Sequence, residues 1–283
     1  MAVKIVTDST SDLPRETAEA LGITVVPLYV HFGTEVFKDQ VDLSADDFYR
    51  RLVTEEELPK TSQPSIGDFV DAYERIGRDA DGIVSVHVPA KVSGTINSAR
   101  QAALQADVPC PIEVHDTFQA SMGIGLVAIE AATVAAGGAN VEQVAGASRD
   151  AISRCQCFAM LDTLEYLEKG GRIGKARALL GTLLRLRPLI TVKDGEVQPL
   201  GKERTRRKAI DRLVRTAREF SPLDRMAVMY STSRPDAEAI ADSLADRMVE
   251  GRTPMVVQFG PALGTYVGPN SVGIQLLRSG GGA

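Results

Sequence analysis

Short apolar runs alternate with helical patterns over the first 137 residues, and this leaves the chain few ways to fold. Residues 2–6 (AVKIV) are stopped by TDSTSDLP, where Ser11 or Asp12 can cap a helix that Pro14 opens and Gly22 ends. ITVVPLYVHF (23–32) reads as a buried strand, and Pro27, which has no N–H to give a ladder, places it at an edge or bends it. Ser44 with Asp47 and Ser65 with Asp68 resemble capping boxes for helices over 45–52 and 66–77; in the second, Phe69, Ala72, Tyr73 and Ile76 share one stripe. A strand at 82–88, a helix over 93–106, a strand at 111–116 and a long Ala- and Gly-rich helix over 119–137 extend the series. Such alternation favours a parallel sheet covered on both faces, with ligands collecting where strands end and helices begin. Loops 7–13, 59–65, 89–94 and 116–121 are then expected to share one rim.

After a helix over about 140–153 the character changes. CQCFAML, RPLITV, EVQPL, MAVMYS, MVVQF and VGIQLL read as strands, and Asp194-Gly195 between two of them marks a hairpin. Helices over 205–219 and 235–249 complete the pattern. The expected fold class is α/β in two domains: an N-terminal parallel sheet flanked by helices (1–159) and a C-terminal α+β domain with a mixed or antiparallel sheet (160–283). A chain of 283 residues is long enough for both.

A net charge of −5 gives no global attraction to nucleic acid or to an anionic membrane. Cys110, Cys155 and Cys157 are odd in number, no apolar leader precedes them, and no stretch reaches 18 apolar residues. A cytoplasmic chain without a disulfide frame is expected.

Three stretches draw attention as sites. Ser93-Gly94-Thr95 follows a strand and opens a helix, where unpaired N–H groups and the positive dipole end suit an anion; Ser93 equally suits a plain cap. In KTSQPS (60–65) a cap explains Ser65 but leaves Thr61 and Gln63 unaccounted for, and the β-α arrangement would bring Thr61 to Ser93. Gly123, Gly125 and Ala128 mimic G-x-G-x-x-A but lie inside a helical stretch, so close packing, or space for an apolar ligand, is the better account. GGRIGKAR fails as a P-loop, because Gly170 and Gly174 stand too close and Ala176 follows Lys175. Its Lys169, Arg172, Lys175 and Arg177, with Lys202, Arg204, Arg206, Arg207 and Lys208, make either a solvated face or an anion or partner site. His31, His87 and His115 lack metal spacing, and Cys155-x-Cys157 lacks a second pair. A phosphotransferase or esterase using Ser93 and His87 is the enzyme alternative, and a nucleic-acid-binding regulator would rest on the basic run alone.

Taken in order along nearly the whole chain, VTDSTSDLP, KTSQPS, SGTINSAR, HDTFQASMGIGLV, YLEKGGRIGKA, PLGKERTRRKAI and GTYVGPNSVGI resemble the DegV family of bacterial fatty-acid-binding proteins. The resemblance implies one long-chain fatty acid held in a tunnel between two domains, with no cofactor or metal and no nucleic acid partner. It implies a carrier, not an enzyme, that presents the acid to a separate fatty acid kinase for acyl-phosphate formation in phospholipid synthesis, with transient membrane contact. By position, Thr61 and Ser93 match the hydroxyls that hold the carboxylate; Gly94, Thr95 and Tyr266 complete that expected set. Arg172 and Arg204 match arginines linked to the headgroup or to kinase docking. Where the family pattern G-T-H-x-G-P-G has histidine this chain has Tyr266, a residue type that donates a hydrogen bond but does not titrate near neutral pH.

Overall fold

The computed structural model describes residues 2–180 and 186–280. β1 (Ala2–Asp8) runs through a 3-10 turn, Ser9–Ser11, to α1 (Arg15–Leu21), which Gly22 closes in the left-handed conformation at φ 64°. There follow β2 (Ile23–Val26), β3 (Tyr29–Phe32), β4 (Glu35–Lys38), α2 (Ala45–Thr54), β5 (Lys60–Ser62) and α3 (Ile66–Gly77). Next come β6 (Ala80–His87), α4 (Thr95–Gln105), β7 (Ile112–Asp116), α5 (Met122–Ala136), α6 (Val141–Arg154), β8 (Cys155–Met160) and α7 (Glu165–Lys169). The chain ends with β9 (Arg187–Lys193), β10 (Glu196–Glu203), α8 (Arg206–Arg218), β11 (Leu223–Tyr230), α9 (Arg234–Leu244), β12 (Met255–Gln258), α10 (Pro261–Val267) and β13 (Val272–Arg278).

The first half is an α/β unit whose parallel sheet has the order β2-β1-β6-β7. The stretch 23–32 is not one strand. Pro27 breaks it, so β2 stays at the edge of the parallel sheet while β3 leaves to pair with β4 and β5 in a small antiparallel sheet. Ser44 and Ser65 cap α2 and α3 as expected, each accepting from the backbone N–H three residues on. Ser11 does not cap α1. It is fully buried in the 3-10 turn, and Pro14 occupies the N-cap position.

The second sheet is mixed, in the order β10-β9-β8-β13-β11-β12, with only β11 and β12 parallel. It takes in β8 from Cys155, so the change of sheet comes before the expected division at 159/160. Asp194 and Gly195 both have positive φ, 54° and 72°, as a type I′ turn between β9 and β10 requires.

What joins the two sheets is α5. Its sequence, MGIGLVAIEAATVAA, is apolar apart from Glu130 and Thr133, which meet Arg225 near its C-terminal end, and a helix so nearly without a polar face is stable only when covered on most sides. It packs on β1 and β6 of the first sheet and on β8, β11 and β13 of the second. One apolar core accordingly runs from Val84 and Val86 through Ile124 and Val127 to Ala227 and Met229. Gly125 permits this: a Cβ there would stand 2.9 Å from the Ser11 carbonyl oxygen. Among the described residues no helix is long and apolar enough to cross a membrane.

Candidate functional site

A cavity of about 340 Å³ lies between the two halves, within the range of small-molecule pockets, about 300–1,000 Å³. All four rim loops reach it: Thr10 after β1, Thr61, Ser62 and Gln63 on and after β5, Val88 and Val92 to Gly94 after β6, and Ala120 and Ser121 after β7. The opposite wall is apolar. Ala159, Ile190, Val192 and Val197 come from β8, β9 and β10, Leu167 from α7, and Leu263 and Val267 from α10.

Hydroxyls gather on one side of this apolar chamber. Thr61 Oγ1 and Tyr266 Oη stand 2.5 Å apart, and Ser93 Oγ lies 2.8 Å from Thr95 Oγ1. The two loops are tied by Gln63, whose Nε2 donates to Ser98 Oγ at 3.3 Å. Its amide lies so close over Gly94 that a Cβ there would come within 2.0 Å of Gln63 Oε1, so Gly94 is what allows the approach. Arg172 crosses above, donating to the Val92 carbonyl at 3.2 Å and the Gly170 carbonyl at 2.8 Å, with its guanidinium carbon 5.3 Å from the Tyr266 ring centroid. Both acceptors are backbone, and among the described residues no carboxylate pairs with Arg172. The chamber is therefore an apolar volume ending in hydroxyls and one uncountered cation, an arrangement that suits an amphipathic acid.

Residues 2–279 match the model of the DegV family, described as uncharacterised proteins. The chain belongs to the DegV family. A DegV domain-containing protein of Streptomyces coelicolor is 37% identical over 276 residues, 96% of this chain and 97% of that protein. A solved structure described as showing fatty acid binding of a DegV family protein from Thermus thermophilus superposes with TM-score 0.91 at 32% identity, covering 99% of this chain and 100% of that one. One from Eubacterium ventriosum, described as a stearic acid-binding protein, gives TM-score 0.88 at 26% identity, with 98% of each chain covered.

In this DegV chain Tyr266 is held from several directions. A Cβ at Gly170 would stand 2.6 Å from its ring, and the start of α10 is anchored by two buried carboxylates from the first half. Asp12 Oδ1 accepts from Gly260 N at 2.9 Å and Asp39 Oδ1 from Ala262 N at 3.1 Å, while Asp12 Oδ2 accepts from Ser121 Oγ at 2.6 Å. Burial raises Asp12 well above the usual carboxylate range and pushes Asp39 up to about 7. The sign of the consequence is fixed: the folded chain keeps the Asp39 proton to a higher pH than the unfolded chain does, so this group favours folding in acid. That contribution is lost as pH rises from about 4 to about 7. Asp39→Asn is expected to flatten the slope, narrowing the gap between urea midpoints measured at pH 5 and pH 8.

Two members of the expected set stand elsewhere. Thr95 is fully buried behind Ser93 and does not line the cavity; it only supports the Ser93 hydroxyl. Arg204 is exposed between β10 and α8 and is not part of the lining either. The enzyme alternative fails on geometry. His87 Nδ1 lies 2.9 Å from Asp8 Oδ2 and its Nε2 lies 2.6 Å from Ser85 Oγ, which also accepts from Tyr73 Oη at 2.9 Å. An acid, an imidazole and a hydroxyl are thus in line, yet all are fully buried, with the Phe69 ring edge-on to His87 at 5.1 Å. Ser93 has no part in it, and no substrate reaches Ser85. Gln63, Ser121 and Thr10 are lining residues that the motif reading did not assign; only Gln63, left over from the Ser65 cap, could have been found that way.

Proposed function

We propose that this chain binds one long-chain fatty acid in the cavity and presents its carboxylate to a separate kinase for acyl-phosphate formation. The observation that carries the reading is the ordered polarity of the chamber, in which apolar walls from the second sheet run up to Thr61, Ser93 and Tyr266 beneath Arg172. The fatty-acid-binding descriptions of its structural neighbours support it.

The chemistry divides between tail and head. Each buried CH₂ contributes about 0.8 kcal/mol, so the tail dominates affinity, while hydrogen bonds from Thr61 and Ser93 to a carboxylate contribute roughly 1.5–3 kcal/mol each and fix orientation. When Tyr266 donates to Thr61 Oγ1, the threonine proton is left to face the ligand, and the chain of hydroxyls is mutually polarised. Neutral donors hold the carboxylate without a tight ion pair, which keeps it available as a nucleophile. In this reading the chain supplies no phosphotransfer chemistry of its own. The exposed Lys202, Arg204, Arg207 and Lys208 form the basic face offered to the kinase, and to a membrane surface in passing. Native mass spectrometry of undenatured protein equilibrated with palmitic or stearic acid tests the reading; one acid per chain is expected, and protein that stays empty at saturating acid would sink it.

A further inference from the structure

The cavity carries a second polar feature that a plain hydrocarbon tail leaves unused. Gln275, on β13, is 2% exposed and lines the cavity; its Nε2 donates to Cys157 Sγ at 3.2 Å, and its Oε1 has no partner. Gln119, just before α5, repeats the pattern: it is 6% exposed, its Nε2 donates to the Cys155 carbonyl at 3.3 Å, and its Oε1 is also without a partner. The two oxygens converge on Gly123. They lie 3.0 Å (Gln275) and 3.4 Å (Gln119) from the point where a Cβ would stand on that residue, so the absent side chain leaves both facing one place.

Buried amide oxygens are normally paired, and a site left with unpaired ones discriminates in favour of a ligand that supplies the missing donor. We propose that the cavity is specific for long-chain acids bearing a hydroxyl on the tail, received by Gln275 with Gln119 behind it. This rests on the fatty-acid reading above and narrows its substrate class. A hydroxyl fits where other polar groups do not. It donates to Oε1, and since it also accepts, it serves Gln275 whichever way that amide is turned. An ammonium or a second carboxylate would bring a charge to a wall with only neutral amides to meet it. Cys157 adds no charge either, because burial pushes its thiol up to about 11.

The test is a competition. Delipidated protein is equilibrated with equimolar octadecanoic acid and one of a series of octadecanoic acids hydroxylated at successive positions along the middle and far parts of the chain, and the bound species are counted by native mass spectrometry. At least one positional isomer is expected to be retained about tenfold over the plain acid. Gln275→Leu is expected to remove the preference while still binding plain acid, and Gly123→Ala, whose Cβ would press on both amides and displace the Gln275 oxygen, to do the same. Wild-type protein that retains plain acid at least as well as every hydroxylated isomer would overturn the proposal and would mean that the two amides satisfy each other. A preference that survives both substitutions would also overturn it. Failure to bind plain acid at all is a separate outcome, and it would count against the fatty-acid reading itself.

Discussion

Ala159→Phe is expected to cost this DegV chain its hold on eighteen-carbon acids while leaving shorter acids bound. Ala159 lies on β8 between Ile190 of β9 and Gly273 of β13, and it faces the cavity, so a phenyl ring there enters space that the tail would occupy. Excluding four methylenes from the chamber removes about 3 kcal/mol of burial, more than a hundredfold in affinity. Overpacking a filled core costs about 1–3 kcal/mol, but here the ring enters a cavity, so the thermal midpoint should change little. Titration calorimetry over a series from ten to eighteen carbons checks this. The optimum should move to shorter chains, and an unchanged profile would place the tail elsewhere.

The second large effect is expected from Thr61→Val combined with Ser93→Ala. The tail keeps its walls, but the carboxylate loses two hydrogen bonds of roughly 1.5–3 kcal/mol each, and Tyr266 loses its partner on Thr61. Acid affinity should fall by about two orders of magnitude or more. Affinity for the methyl ester, which has no charge to lose, should fall far less. Formation of acyl phosphate with ATP and a fatty acid kinase should fall with the acid. Neither side chain belongs to the apolar core, so the fold should persist. Equal losses for acid and ester would mean that the substitutions had disturbed the walls, not the headgroup site.

How much of this is legible in the sequence depends on the range of the interaction. The parallel sheet, the shared rim and the Asp194-Gly195 hairpin are written locally, in hydrophobic period, caps and turn residues, and the structure reproduces them. The 7–13, 89–94 and 116–121 loops meet because they follow β1, β6 and β7 at the same end of the parallel sheet, whereas 59–65 joins them on β5 of the small antiparallel sheet, which the β-α order does not foretell. What is hidden is held from afar. β5 is a three-residue strand, too short to display a period, and it forms only because β3 leaves the main sheet at Pro27 to meet it. α10, which brings Tyr266 to Thr61, is a seven-residue helix with Gly264 in its interior, a weak helix former by propensity. Its anchors, Asp12 and Asp39, lie more than two hundred positions away in the chain. The same distance hides the Asp8–His87 pair: His87 looks available as a base until β1 and β6 are placed side by side. Thr95 shows the limit of motif transfer, since two residues past Ser93 the helix has already turned the side chain into the core.

A crystal structure of the chain with a saturating long-chain fatty acid is the most direct measurement. One acid is expected in the chamber, its carboxylate oxygens within hydrogen-bonding distance of Thr61 Oγ1 and Ser93 Oγ and its tail along β8, β9 and β13. An acid found outside the chamber, or lying in it reversed with its carboxylate beside Gln275, would contradict the account.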